Sequence, residues 1–83
     1  MISEKILNLL NEQIKKEFHS AYLYLGIEAY FQEKGLKGMA NWFRIQAQEE
    51  LDHAIKFFGY VNEVGGLAKL GTIEAVTSTY KDP

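Results

Sequence analysis

Eighty-three residues make at most one small domain. With 47% hydrophobic and 24% charged residues, a net charge of −2 and a pI near 5.6, the chain is mildly acidic, and its nine basic residues are scattered from Lys5 to Lys81 without the block or stripe that a nucleic-acid surface needs. The absence of cysteine excludes disulfides, thiolate zinc sites and cysteine nucleophiles. Ile2-Ser3-Glu4-Lys5 lacks the pattern of a signal peptide, and no apolar run reaches the ~18 residues of a membrane span, so the expected setting is cytoplasmic.

Ser3 is a good N-cap and Glu4 places an acid in the first turn, where the helix dipole favours it. From Ile6 a three-or-four spacing runs through Leu10, Ile14, Glu17, Ala21, Tyr24 and Glu28, with no proline before Lys34-Gly35. The first predicted helix covers about 4–33, a rod of about 45 Å. Gly35 and Gly38, flanking Leu36-Lys37, predict a short turn of the kind that makes consecutive helices antiparallel neighbours. A second helix is predicted over about 37–64, ended by Gly65-Gly66, with the row Met39, Phe43, Ala47, Glu50, Ala54, Phe57, Val61, Val64 along one face. After Gly66 the periodicity stops, and 65–83, with its β-branched residues, is expected to be an extended crossing tail.

Glu17 is the single acid in the otherwise apolar middle of the first row, and Glu50 falls on the second. A carboxylate there must be neutralised, paired or bound to a metal. Glu50 and His53 are three residues apart, so both side chains leave one helix face about one turn apart and can meet at one point. With the turn near Gly35, Glu17 is expected at the level of about residues 53 to 55, within a turn of that pair. Carboxylates and imidazole without thiolate suit iron, manganese or zinc, with the harder metals first. A proton-relay or hydrolytic acid pair is the catalytic competitor, set aside because two helices offer no evident substrate cleft. Tyr24, one heptad past Glu17, reads equally as an interior aromatic and as a hydroxyl that orients a metal-bound carboxylate. Glu49 is turned about 100° from Glu50 and reads as a solvated acid beside the site. His19 points to another face and reads as a surface histidine.

Asn11-Glu12-Gln13 followed by Glu17, then Ala21-Tyr22-Leu23-Tyr24-Leu25, then Ala47-Gln48-Glu49-Glu50-Leu51-Asp52-His53-Ala54, resembles the first two helices of prokaryotic non-haem ferritins over nearly the whole chain. The resemblance implies that Glu17, Glu50 and His53 are ligands of a di-iron ferroxidase centre, with Glu50 bridging, Tyr24 beside the centre, and Glu49 helping to hold a further iron. Iron is then the implied metal, with Fe(II) and O2 as the reactants and iron storage as the function. Bacterioferritin carries a haem-ligand methionine directly after the bridging glutamate; here that residue is Leu51, so no haem is implied. The family takes further ligands from a third and a fourth long helix that this sequence does not contain. Either the chain is a piece of a longer subunit, or it works as a half-bundle completed by another chain.

The expected fold is therefore all-α: an antiparallel helical hairpin forming half of a ferritin-like four-helix bundle. A hairpin alone leaves Ile6, Leu10, Ile14, Ala21, Phe43, Ala47, Ala54 and Phe57 only partly covered, so a homo-oligomer is expected, at least a dimer, with a ferritin-like cage as the larger assembly. Two alternatives come from other classes. One is a two-helix structural or assembly fragment without metal; the other is a different di-iron protein, rubrerythrin-like or encapsulated-ferritin-like.

Overall fold

A computed structural model describes residues 2–80 of the chain. Two helices, α1 (Glu4–Glu33) and α2 (Lys37–Glu63), pack side by side as an antiparallel hairpin, and the described residues contain no strand. The Ser3 hydroxyl accepts from the Ile6 amide at 3.2 Å, as the N-cap reading requires. Both helices close in the same way. Leu36 N–H bonds to the Phe31 carbonyl and Gly35 N–H to that of Gln32; Gly66 N–H bonds to Val61 and Gly65 N–H to Asn62. Each is a Schellman cap, and the residue it forces into positive φ is a glycine in both cases, Gly35 at 75° and Gly65 at 80°. Gly38 is not part of the turn: it lies in the first helical turn of α2, and the predicted end of that helix moves back one residue, with Val64 as its cap.

The two apolar rows divide the work differently from the sequence expectation. The fully buried seam consists of Ile14 and Ala21 on α1 and Ala40, Ala47, Ala54 and Val61 on α2, each step being seven residues. Alanine at four of these six positions lets the two backbones approach closely, so this seam is closed by the hairpin itself. The neighbouring row, Leu10, Glu17, Tyr24 and Phe31 with Phe43, Glu50 and Phe57, is only half-buried. Ile14, Ala21, Ala47 and Ala54, expected to be partly open, are fully covered, whereas Ile6 and Met39 are exposed. The envelope measures 50 × 19 × 13 Å, and its smallest dimension is close to one helix diameter, so no second layer covers the half-buried row.

From Leu67 to Tyr80 the chain has no regular structure and runs along α1. The Asn11 side chain grips it at both polar ends: its amide donates to the Leu67 carbonyl at 3.1 Å and its oxygen accepts from Lys69 N–H at 2.9 Å. Further along, Gly26 lies so close to Thr77 that a Cβ would overlap the Thr77 carbonyl. Tyr80 then stacks edge-on against Tyr30, with centroids 5.2 Å apart. The expected crossing segment thus follows the length of α1 as far as Tyr80, and its residues 81–83 lie outside the described part.

Candidate metal centre

Register brings the acids together. Tyr24 packs on Phe43 with ring centroids 6.0 Å apart, and one heptad back along α1 and one forward along α2 from that pair lie Glu17 and Glu50, with His53 three residues further. Glu17, Glu50 and His53 each present one oxygen or ring nitrogen, and these atoms lie within 4.8 Å of one another. Nδ1 of His53 is 3.5 Å from Oε2 of Glu17 and 3.9 Å from Oε2 of Glu50. The Glu17 side chain is 14% exposed and that of His53 is 55% exposed, so the cluster sits at the mouth of the hairpin's open face.

One oxygen in the cluster stands out. Glu17 Oε1 accepts from the Gln13 amide at 2.8 Å, but Glu17 Oε2 is buried without a hydrogen-bond partner. A buried acceptor without a donor is costly, and it is satisfied either by a proton shared with a neighbour or by a cation. The titration directions express the first alternative. Glu17 is held below the ordinary carboxylate range, chiefly by a hydrogen bond with Glu50, with the Gln13 amide and His53 adding to it against its partial burial. Glu50 is pushed above that range by the same bond, by burial and by the Glu17 charge. Opposite shifts on two adjoining carboxylates mean that the pair resists carrying two full charges, and that Glu50 takes up a proton more readily than Glu17. A divalent cation fits the same place, since two carboxylate oxygens and one imidazole nitrogen converge there and no thiolate does.

Two further residues stand outside the converging group of three. Glu49 is exposed and outside the three-residue group, consistent with its turn away from Glu50. Tyr24 is half-buried, and the structure records it as a packing aromatic against Phe43, which in turn stacks on Phe31 and meets Trp42 edge-on. His19 is half-buried on another face, lining a groove with Lys15, Lys16 and Glu74. The most buried acid among the described residues is none of these. Glu28 is 5% exposed, and it is answered by Arg44 across the hairpin at 2.7 Å and by Gln32 at 3.2 Å, so it is a paired structural charge. An apolar cavity of about 200 Å³ between the tail and α1, lined by Ile14, Phe18, Leu70 and Ile73, includes none of the three clustered residues.

A match to the ferritin family, described as a ferritin-like domain, runs over residues 7–83. The chain belongs to the ferritin-like family. Its relatives include a bacterial non-heme ferritin of Bacteroides fragilis, 42% identical over 83 residues, covering 100% of this chain and 52% of that protein. Another is a bacterial non-heme ferritin of Staphylococcus epidermidis, 36% identical over 89 aligned positions, covering 99% of this chain and 54% of the other. Among solved structures, an open-pore ferritin of Archaeoglobus fulgidus superposes with a TM-score of 0.93 at 51% identity, over 100% of this chain and 51% of that one. Chlorobium tepidum ferritin does so with a TM-score of 0.92 at 39% identity, over 99% and 50%. This ferritin-like chain thus spans about half the length of the proteins it matches, and its hairpin is half of the ferritin four-helix bundle. None of its described helices is long and apolar enough to cross a membrane.

Proposed function

We propose that this chain handles iron as a ferritin does, binding Fe(II) between Glu17, Glu50 and His53 at a di-iron ferroxidase centre where O2 is the oxidant, and passing Fe(III) on to storage. The observation that carries the reading is the buried Oε2 of Glu17, which lacks a hydrogen bond and faces Glu50 and His53 across the hairpin. Iron here is substrate and cargo, and each Fe(II) gives up one electron to O2.

The residues divide the task by chemistry. Glu17 supplies one anionic oxygen, held by Gln13 at the other. Glu50, the readier of the two acids to hold a proton, releases it when a cation arrives, and its two oxygens allow it to bridge. His53 offers a neutral nitrogen, which a metal takes only when the ring is deprotonated. Tyr24 borders the site and Glu49 lies beside it, placed to hold a further iron on its way out. Di-iron carboxylate bundles use one Glu from each of two helices and a Glu-x-x-His pair from each of the other two. This hairpin supplies one of each, so a second hairpin is required, in a homo-oligomer or from further chain. A cytoplasmic setting and a cage assembly follow from the same family reading.

Stopped-flow absorbance after anaerobic Fe(II) loading and O2 mixing tests the proposal. Glu50→Ala and His53→Ala are expected to abolish the fast oxidation phase, while Glu49→Ala alters only slower uptake. A wild-type rate in Glu50→Ala would end the di-iron reading and leave the metal-free structural module in its place.

A further inference from the structure

Gln13 lies one helical turn before Glu17 on α1 and is half-buried with it. Its side-chain nitrogen donates to Glu17 Oε1 at 2.8 Å. The amide cannot be the other way round, because a carbonyl oxygen facing an ionised carboxylate would be repelled. A glutamate's terminal torsion is soft, so an unrestrained carboxylate exchanges its two oxygens freely. The Gln13 bond removes that equivalence: Oε1 is occupied, and Oε2 is the oxygen left without a partner, 3.5 Å from Nδ1 of His53.

We propose that Gln13 is the positioning residue of the metal site, fixing the Glu17 carboxylate so that it meets the cation through Oε2 alone. The inference rests on the metal-binding reading above and adds to it a residue that touches no metal. The same Gln-to-acid spacing occurs twice more, from Gln48 to Asp52 at 3.1 Å and between Gln32 and Glu28 at 3.2 Å. Those acids are outside the converging group of three, so those bonds are helix-face pairs and serve as internal controls.

The test uses the intact chain in its native assembly, with Zn(II) for affinity by calorimetry and Co(II) for its d–d absorption, which reports coordination number. Gln13→Met keeps the length and helix propensity without the donor; Gln13→Asn keeps a polar amide that is too short to reach. Both are expected to bind Zn(II) about 10- to 100-fold more weakly, the usual effect of removing a residue that orients a metal ligand. Both should also change the Co(II) spectrum, because the freed carboxylate can then bind through two oxygens, while metal-free helical content stays at the wild-type level. Gln32→Met should match the wild type in affinity and spectrum. Wild-type affinity and spectrum in both Gln13 variants would overturn the positioning role and leave the metal site standing. A loss of affinity that tracks a loss of helical signal would make Gln13 merely structural and would overturn it as well. Failure of the wild-type protein to bind either metal would remove the site itself, and the role of Gln13 with it.

Discussion

Glu17 and Glu50 project from opposite helices into one space less than 5 Å across, and their proximity holds the Glu17 carboxyl below the ordinary carboxylate range and pushes that of Glu50 above it. Without metal, a proton between them is the alternative source of positive charge. The folded state therefore stores a demand for positive charge at a position that neither helix would produce alone.

The sign of the resulting pH dependence is fixed by these directions. Glu50 is raised above its ordinary value of 4.5, so the stability it contributes is complete below that pH and is lost as pH rises through its folded-state value. Glu17 is lowered from the same 4.5, so its contribution is present above that pH and is lost as pH falls through its folded-state value. The metal-free protein should accordingly lose melting temperature on going from mildly acidic to neutral pH. Glu50→Gln, which keeps a donor towards Glu17 without a titratable proton, should flatten that fall. Thermal melts of both proteins from pH 4.5 to 7.5 in the presence of a chelator check this, and parallel curves would refute the shared proton.

A cation replaces that proton, so the metal-bound protein should show the opposite trend. Metal binding requires Glu50 and His53 to be deprotonated, which makes the affinity rise with pH and the stabilisation grow with it. Zn(II) at ~100 times its dissociation constant should add about 2.7 kcal/mol at pH 7.5 and much less at pH 5. Calorimetric scans with and without Zn(II) at the two pH values measure the difference. An equal melting temperature with and without metal at pH 7.5 would count against the cluster.

Much of this was legible in the sequence, for reasons that particular residues make plain. Ser3, Gly35 and Gly65 mark helix ends through backbone chemistry that acts locally, so the element bounds come within a residue or two of those observed. Glu17, Glu50 and His53 stand out because carboxylates interrupt apolar rows and a short turn sets the register. Glu28 interrupts the same row, yet it is paired, because Arg44 reaches across from α2. That partner belongs to another helix at a different height, and periodicity within one helix cannot reveal it. The division into a closed alanine seam and an open row also escaped, since Ala47 and Phe43 are both simply apolar in a spacing argument. The Gln13 bond had a visible signal, the i to i+4 amide–acid spacing, which becomes informative only once Glu17 is known to have one oxygen free.

The tail offers a test of the fold that leaves the acids untouched. Asn11→Ala removes two hydrogen bonds to the tail backbone, each contributing about 0.5–1.5 kcal/mol, with the low end appropriate to this exposed position. Gly26→Ala gains about 0.5–1 kcal/mol of helix propensity but drives a methyl group into the Thr77 carbonyl, and displaced backbone costs about 1–3 kcal/mol. The net effect on melting should be small and unfavourable for both. Tail release should be larger. Limited proteolysis is expected to cut between Leu67 and Tyr80 several-fold faster in either variant, with α1 and α2 intact. Wild-type cleavage rates would mean that the tail is not held by these contacts.

The open row gives the last expectation, which concerns how the site is completed. Leu10, Tyr24, Phe31, Phe43 and Phe57 flank Glu17 and Glu50 and are only half-buried, and Trp42 beside them is 54% exposed. Covering a large apolar side chain fully is favourable by about 1.5–3 kcal/mol, so finishing the burial of five half-covered ones from each of two chains exceeds the lower part of the ~4–15 kcal/mol cost of association. The 83-residue chain on its own should therefore associate, and a two-fold arrangement brings two copies of Glu17, Glu50 and His53 face to face, which makes two Glu and two Glu-x-x-His pairs. Lys5, Glu12, Lys16, Lys37 and Lys56 are exposed and would remain wet. Phe43→Asp places a charge in the centre of the covered row without altering a ligand, and it should shift the chain to monomer and weaken Zn(II) binding together. Sedimentation velocity with parallel metal titration reads both. A wild-type chain that sediments as a single monomeric species and still binds Zn(II) as tightly as any assembly would defeat both the packing argument and the shared site.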